Sequence, residues 1–237
     1  MDLSFLQQES TISLVDKFIE DNPAPEKPRD YLGMSEIGDP CARKLWLKYN
    51  GNLKEKFEPR ILRLFNLGHM IEKRILDDLL RAGFVVTDTQ TAFVDFVGKF
   101  KGHCDGIILG MPESKKPHIL EIKSANAKNF ALFVKDGIAA HKDYGPKYMA
   151  QAQCYMGYAK LDRALFIVEN KETSERYQER VRFDKAEFEQ IREKAYSIIF
   201  SAFPPKGISS RPDWFQCRFC HFNMNGCRDT WPGEPAF

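Results

Sequence analysis

The sequence predicts an α/β protein in which a mixed central sheet is flanked by helices and followed by a cysteine-rich segment. Stretches with apolar residues at helical spacing alternate with runs typical of strands, and three of the six cysteines lie beyond residue 205. With 237 residues, 43% of them hydrophobic, the chain can bury a sizeable core. We expect an N-terminal helix and proline-rich linker at 1–30 and one globular domain at 31–237, which includes the cysteine-rich segment 205–237.

The spacing of apolar residues predicts helices over 10–20, 61–81, 146–160 and 185–203. Gly83 is expected to end the helix over 61–81, and Pro204 the helix over 185–203. Strands are predicted in 84–98, 100–110 and 118–125, which follow one another through turns and form a partly antiparallel sheet. Residues 163–170 resemble a buried strand, and residues 176–184 alternate like an edge strand.

Composition excludes some classes of protein. The 35 basic and 33 acidic residues give a net charge of +2, so the chain is not a uniformly basic DNA coat and any nucleic-acid contact must come from local patches. No apolar run reaches the roughly 18 residues of a membrane span, and the N-terminus lacks the pattern of a signal peptide. We therefore expect a soluble cytoplasmic protein, whose cysteines are free thiols or metal ligands rather than disulfides.

Two carboxylates and a lysine form a candidate catalytic group. Glu121 and Lys123 flank Ile122 in a predicted strand and so point to one face, and Asp105 approaches them if the two strands pair as a hairpin. Such charges are costly to desolvate unless a cation or one another offsets them. Oxygen ligands suit Mg²⁺ or Mn²⁺, which can activate water beside a phosphodiester, with Lys123 assisting its attack. Taken alone, the pattern also fits an ordinary surface hairpin.

Three further motifs accompany this group: Gly68 to Glu72 on a helix, Gly102 to Asp105, and Gln151 to Tyr155 on a later helix. In this order the motifs resemble the RecB-like branch of the PD-(D/E)XK nucleases. The resemblance covers residues 35–227 and implies a restriction-endonuclease-like core. It also implies a metal-dependent DNA exonuclease or end-processing nuclease in recombination, repair or phage DNA metabolism.

The resemblance also implies roles for individual residues. Glu72 would be the helix ligand of the metal, with His69 as a second candidate for binding the metal or a phosphate. The Ile122 carbonyl would complete the ion's shell, while Gln151 and Tyr155, on one helix face, would orient the substrate near Lys123. Without the resemblance, His69 can be an ordinary hydrogen-bonded histidine, and Gln151 and Tyr155 the polar edge of a helix.

The cysteines form a second constellation. Cys217 and Cys220 are two residues apart in a CxxC pair, Cys227 follows, and Cys41 lies far upstream. This layout is similar to that of CRISPR-associated RecB-like exonucleases and AddB-type nuclease domains, in which four cysteines hold a 4Fe-4S cluster that joins the two ends of the domain. A structural Zn²⁺ site is the alternative, because thiolates alone do not choose between the two metals.

Basic and aromatic residues interleave around these cysteines. Arg43, Lys44 and Arg218 are candidate contacts to DNA phosphates, and Trp46 is expected to pack around the metal site.

The resemblance implies DNA as the partner, either single-stranded or with free ends, and leaves a homo-oligomer or a subunit of a recombination complex open. The rival functions are a structure-selective endonuclease, a CRISPR-adaptation trimmer and an inactive DNA-binding subunit. A chain this short also fits a phage-encoded nuclease acting in the host cytoplasm.

Overall fold

The structure is a computed structural model that describes residues 10–22, 29–51 and 57–228. The four predicted helices are present. The helices of the described residues are α1 (Thr11–Asp21), α2 (Ala42–Asn50), α3 (Pro59–Arg81), α4 (Ala127–Asp136), α5 (Gly145–Ala159), α6 (Lys185–Phe200) and the short α7 (Phe215–Arg218). The predicted linker at 23–28 and the end of the cysteine-rich segment at 229–237 lie outside the described residues.

The strands of the described residues form two sheets. They are β1 (Leu32–Gly33), β2 (Val85–Thr87), β3 (Ala92–Asp95), β4 (Phe100–His103), β5 (Gly106–Leu109), β6 (His118–Ala125), β7 (Arg163–Asn170) and β8 (Arg176–Arg182). The main sheet has the order β2-β5-β6-β7-β8, with β6 and β7 parallel and the other pairs antiparallel. The predicted mixed sheet, the buried strand β7 and the edge strand β8 are thereby confirmed.

The second sheet, of order β1-β4-β3, was not predicted. It arises because the predicted strand over 100–110 breaks at Cys104 and Asp105. The Cys104 amide donates to the Thr91 carbonyl next to β3, whereas the Asp105 amide donates to the Leu120 carbonyl of β6. The chain thus passes from the small sheet to the main sheet at Asp105.

Apolar side chains cover both faces of the main sheet. On one face, Ile71 and Ile75 of α3 pack against Leu120 and Ile122 of β6. On the other face, β6 and β7 pack against α4, α5 and α6 in a larger core that includes Phe133, Tyr155, Phe166 and Ile198. Because neighbouring residues of β6 face opposite sides, Glu121 and Lys123 point toward α5 rather than toward α3.

Three of the described helices were not predicted from the sequence, α2, α4 and the short α7, and the first two have visible end signals. The Sγ of Cys41 caps α2 by accepting from the Lys44 amide, and the Asn126 side chain caps α4. Gly137, with φ of 82°, follows the end of α4. Helix α6 ends at Phe200 rather than at the predicted residue 203. Directly after it, the Ser201 hydroxyl accepts a hydrogen bond from the Phe203 amide in a turn. None of the described helices has the length and apolar character that crossing a membrane requires.

Candidate active site

Asp105 lies at the point where the chain enters the main sheet, directly before β5. Its side chain is 8% exposed, and its Oδ2 accepts a 2.6 Å hydrogen bond from the Ile122 amide. The β5–β6 pairing begins at Gly106 opposite Leu120, so β6 has no β5 partner beyond this point. Since the N–H and C=O of a strand residue point to the same edge, the Ile122 carbonyl faces the gap occupied by the Asp105 carboxylate.

Glu121 and Lys123 project together from β6, as predicted. The Nζ of Lys123 donates to Oε2 of Glu121 at 2.5 Å. Glu121 is fully buried, and its other oxygen, Oε1, has no hydrogen-bond partner among the described residues. A buried carboxylate oxygen without a partner costs free energy, so this position favours a further positive group.

Burial is the largest influence on the pKa values of this group, and the neighbouring charges add to it or oppose it. Burial raises the pKa of Glu121 to about 8, and the charges of Asp105 and Glu72 raise it while Lys123 opposes them. Burial likewise raises the pKa of Asp105, against the charge of Lys123 and the Ile122 hydrogen bond. For Lys123, burial acts to lower the pKa, but the Glu121 and Asp105 carboxylates outweigh it and the net direction is upward. The site therefore keeps its lysine charged, while burial disfavours the ionised forms of its carboxyl groups unless a further cation offsets their charge.

Glu72 adds a third carboxylate from α3. Burial raises its pKa first, and the charge of Asp105 raises it further. Oε1 of Glu72 accepts a 2.8 Å hydrogen bond from the Gln90 amide, while Nδ1 of His69 lies 3.9 Å from Oε2. The His69 side chain is 79% exposed. Glu72 thus lies within electrostatic reach of Asp105, whereas the neighbouring His69 side chain is mostly exposed.

Gln151 and Tyr155 form the floor of the site on α5. The Gln151 amide donates to the Tyr155 hydroxyl at 3.1 Å, and both residues are buried. Burial raises the pKa of Tyr155, and the nearby charge of Glu121 raises it further. A Cβ on Gly102 would lie 2.6 Å from a Tyr155 ring carbon, so only glycine leaves room for this ring. The Gly102 to Asp105 motif and the Gln151 to Tyr155 motif are therefore in direct contact.

Sequence reasoning missed two residues at this site. The Lys123 Nζ lies 5.5 Å from the centre of the Tyr148 ring, a cation–π contact. Tyr148 precedes Gln151 by three residues, and this spacing is the sequence signal that both side chains lie on the same face of the helix. Gln90, which holds Glu72, has φ of 57° in the left-handed region that favours glycine. No pattern in the sequence marked Gln90.

The side chains at this site fit a divalent cation in charge and in chemistry. Three coupled carboxylates and a backbone carbonyl are hard oxygen donors, and Oε1 of Glu121 has no partner among the described residues. Across the described residues, no group of three or more His, Cys, Asp or Glu is already close enough to hold a metal. Binding an ion would therefore require these side chains to draw together.

The four predicted cysteines line one cleft of about 300 Å³, which is bounded by the loop before α2, the start of α5 and the C-terminal segment. All four are free thiols, and burial raises the pKa of Cys220 and of Cys227. Within the part of the chain that the structure describes, these four thiols are also too far apart to hold a metal ion together. The other two cysteines, Cys104 and Cys154, lie outside this cleft and are fully buried.

The predicted DNA contacts have different surroundings. Arg43 is fully buried and its Nε donates to the Cys227 carbonyl, so its side chain is not exposed to a phosphate in this structure. Lys44 bonds to Asp39 at 2.7 Å at the edge of the cysteine cleft. Arg218 is exposed and lies over the Phe219 ring. Trp46 is buried, and its indole N–H donates to the Ser201 carbonyl.

Comparison with solved structures identifies proteins of similar fold. An alkaline exonuclease from Laribacter hongkongensis superimposes with a TM-score of 0.53 at 16% identity, over 72% of this chain and 87% of that one. Its complex with dAMP gives the same TM-score at 16% identity, over 71% and 86%. The structure of SSO0001 matches with a TM-score of 0.51 at 16% identity, over 92% and 97%.

Searches of protein-family models and of curated proteins gave no match. At these identities the structural likeness concerns the fold, and the predicted α/β fold class is confirmed. The chain has a mixed α/β architecture in common with the nuclease fold of the exonuclease structures.

Proposed function

We propose that this protein is a divalent-metal-dependent deoxyribonuclease that hydrolyses phosphodiester bonds at DNA ends. The observation that carries the proposal is that the buried Glu121, one oxygen of which has no partner among the described residues, interacts electrostatically with Lys123, Asp105 and Glu72. A fold like that of an exonuclease crystallised with dAMP supports DNA as the substrate.

Each residue has a distinct task in this proposal. Glu72, Asp105, Glu121 and the Ile122 carbonyl would hold Mg²⁺ or Mn²⁺, which when bound lowers the pKa of water and neutralises a phosphodiester. The Lys123 ammonium, fixed by its bond to Glu121, stabilises the negative charge that develops on the phosphate oxygens.

The floor of the site orients rather than reacts. The hydrogen bond from Gln151 fixes the Tyr155 hydroxyl, whose high pKa keeps it protonated and able to donate to an oxygen of the substrate. The hydrogen bond that Asp105 accepts from the Ile122 amide fixes the direction of the Asp105 carboxylate and of the Ile122 peptide group at the end of the β5–β6 hairpin. His69, whose side chain is exposed, would contact a phosphate outside the ion's shell.

The test is cleavage of end-labelled single- and double-stranded DNA with Mg²⁺ or Mn²⁺. We expect Glu121→Gln to lower the rate by at least about 100-fold, because it removes a charged donor with almost no change of shape. Glu193→Gln, on the exposed side of α6, is the control and should cleave like the wild-type protein. A wild-type protein inactive with both ions would overturn the proposal and favour a DNA-binding subunit.

A second substrate separates the modes of attack. An exonuclease leaves circular single-stranded DNA intact, whereas a structure-selective endonuclease cuts it. We expect circular DNA to survive under conditions that degrade the same sequence in linear form. The ladder of products from each labelled end then gives the polarity.

We also propose that Cys41, Cys217, Cys220 and Cys227 bind a metal centre, a 4Fe-4S cluster or Zn²⁺, that closes the domain of residues 31–237. Their placement around one cleft supports this, and their separation means that the thiols must approach one another on binding. Anaerobically purified protein should contain iron with visible absorbance, or zinc without it. Cys220→Ser should lose the metal, while Cys154→Ala, buried outside the cleft, should keep it. Metal-free wild-type protein would contradict this proposal.

A further inference from the structure

A stripe of side chains runs along α5 from the floor of the candidate active site to the surface. Tyr144, Tyr148, Gln151 and Tyr155 are spaced by four, three and four residues, which places them on one helix face. Tyr155 is 1% exposed, Gln151 6%, Tyr148 is half-buried and Tyr144, the N-cap residue, is 38% exposed. The exposure of the side chains therefore increases along the stripe from Tyr155 to Tyr144.

The outer half of the stripe is a column of aromatic rings. Tyr144 and Tyr148 stack with centroids 5.6 Å apart and an angle of 24° between their planes. Tyr148 stacks in turn on Phe166 of β7 at 6.1 Å. The column begins in the sheet, passes the Lys123 ammonium at Tyr148 and ends at the exposed Tyr144.

The loop that carries Tyr144 is held in place before any ligand arrives. Nδ1 of the buried His141 accepts from the amides of Asp143 and Tyr144, at 3.2 and 3.3 Å. The His141 ring contacts both Tyr144 and Phe133. A ring held in this way loses little conformational entropy when it binds a ligand, which favours a binding surface.

Positive charge continues from the column. Lys142 and Lys147, which flank Tyr144 in sequence, line the cysteine cleft together with Lys44 and with two acidic residues, Asp39 and Asp143. Lys142 is exposed, whereas Lys147 lies 3.4 Å from Asp39. An aromatic platform between a phosphate-hydrolysing site and a lysine-lined edge matches the chemistry of a single nucleic-acid strand, which presents bases for stacking and phosphates for pairing.

We propose that Tyr144 and Tyr148 form a base-stacking platform for the unpaired strand that enters the active site, so that the substrate is a single-stranded DNA end. The base nearest the scissile phosphate continues the ring column on Tyr144, and the following phosphates run toward Lys142. This inference rests on the proposed nuclease function and specifies the form of its substrate. The alternative is that the rings only pack the start of α5.

The experiment measures affinity for two single-stranded probes in EDTA, where no cleavage occurs. One probe is a short oligodeoxythymidine, and the other has the same backbone with abasic residues throughout. We expect Tyr144→Leu to weaken binding of the first probe by about 10-fold and to leave binding of the second unchanged, because stacking requires a base. Tyr144→Trp should retain the affinity.

Tyr196→Leu is the matched control. Tyr196 is also an exposed tyrosine, at 56%, in contact with other rings, but it lies on α6 outside the stripe. It should bind both probes like the wild-type protein. In cleavage assays, Tyr144→Leu should raise KM for single-stranded DNA more than it lowers kcat.

The results separate the two proposals. An equal loss of affinity for both probes, or no loss for either, would overturn the stacking platform even if the protein cleaves DNA. Absence of cleavage with both ions would overturn the nuclease function, while a loss confined to the base-containing probe would still support the platform.

Discussion

Gly102 and Tyr155 show how single residues shape the floor of the candidate site. A methyl group on Gly102 would come within 2.8 Å of both the Tyr155 hydroxyl and the Met34 Cβ. Neither neighbour has room to retreat, because Tyr155 and Met34 are both buried in the core. The glycine before Asp105 is therefore required by packing against α5, and not by backbone conformation.

We predict that Gly102→Ala destabilises the protein by about 1–3 kcal/mol, the usual cost of overpacking a core. Displacement of Tyr155 should also lower the rate of DNA cleavage. Urea unfolding measures the first effect. Gly33→Ala is the control, since a Cβ there meets ordinary contacts of 3.5–3.7 Å in the same small sheet. Equal stabilities of the two variants would show that the Tyr155 ring can move.

Among the secondary-structure elements, Asp95 joins the small sheet to two helices. From the end of β3, its Oδ2 accepts from the Tyr158 hydroxyl of α5 at 2.7 Å and from Arg192 of α6 at 3.0 Å. Burial acts to raise the pKa of Asp95, but these bonds and that of the Phe96 amide outweigh it, so the pKa lies below its usual value. The small sheet is thus fixed to the helices that cover the main sheet.

A lowered carboxyl pKa contributes stability above the pKa of the unfolded chain and loses it as pH falls through the folded value. We predict that Asp95→Asn is less stable than the wild-type protein at pH 7 and that the difference shrinks between about pH 5 and pH 3. Unfolding by urea across this range measures it. A difference between Asp95→Asn and the wild-type protein that stays the same from pH 7 to pH 3 would contradict the assignment.

At the scale of the whole molecule, Arg43 connects segments that are far apart in sequence. From α2 its guanidinium donates to the Cys227 carbonyl at 2.8 Å and to the Pro205 carbonyl at 3.3 Å. The side chain is fully buried. The C-terminal segment that carries three of the cleft cysteines is therefore attached to α2 by a buried charge as well as by any metal.

We predict that Arg43→Ala loses about 2–4 kcal/mol of stability, because it removes charge-assisted hydrogen bonds and leaves buried carbonyls without their donor. The segment beyond Pro205 should become sensitive to trypsin before the rest of the chain unfolds. Arg60→Ala, exposed on α3, is the control for loss of a charge. A segment that is equally protected in both variants would show that other contacts hold it.

The sequence by itself determined the long elements and the main chemical group. Helices α1, α3, α5 and α6 and strands β6 to β8 follow from apolar periodicity, which is local and repeats over many residues. The Glu121 and Lys123 pair follows from alternation in one strand, and its approach to Asp105 from the hairpin. These relations hold within one element or between neighbours in sequence.

Only the tertiary structure decided the relations between distant segments. The break at Asp105 depends on hydrogen bonds to Thr91 and Leu120, which belong to different sheets. Gln90 beside Glu72, Tyr148 beside Lys123, and the burial of Arg43 depend on how the elements pack. An arginine in a basic patch and an arginine in the core have the same sequence signature. Packing therefore decides which of them can reach a phosphate, because only the folded chain sets the exposure of each side chain.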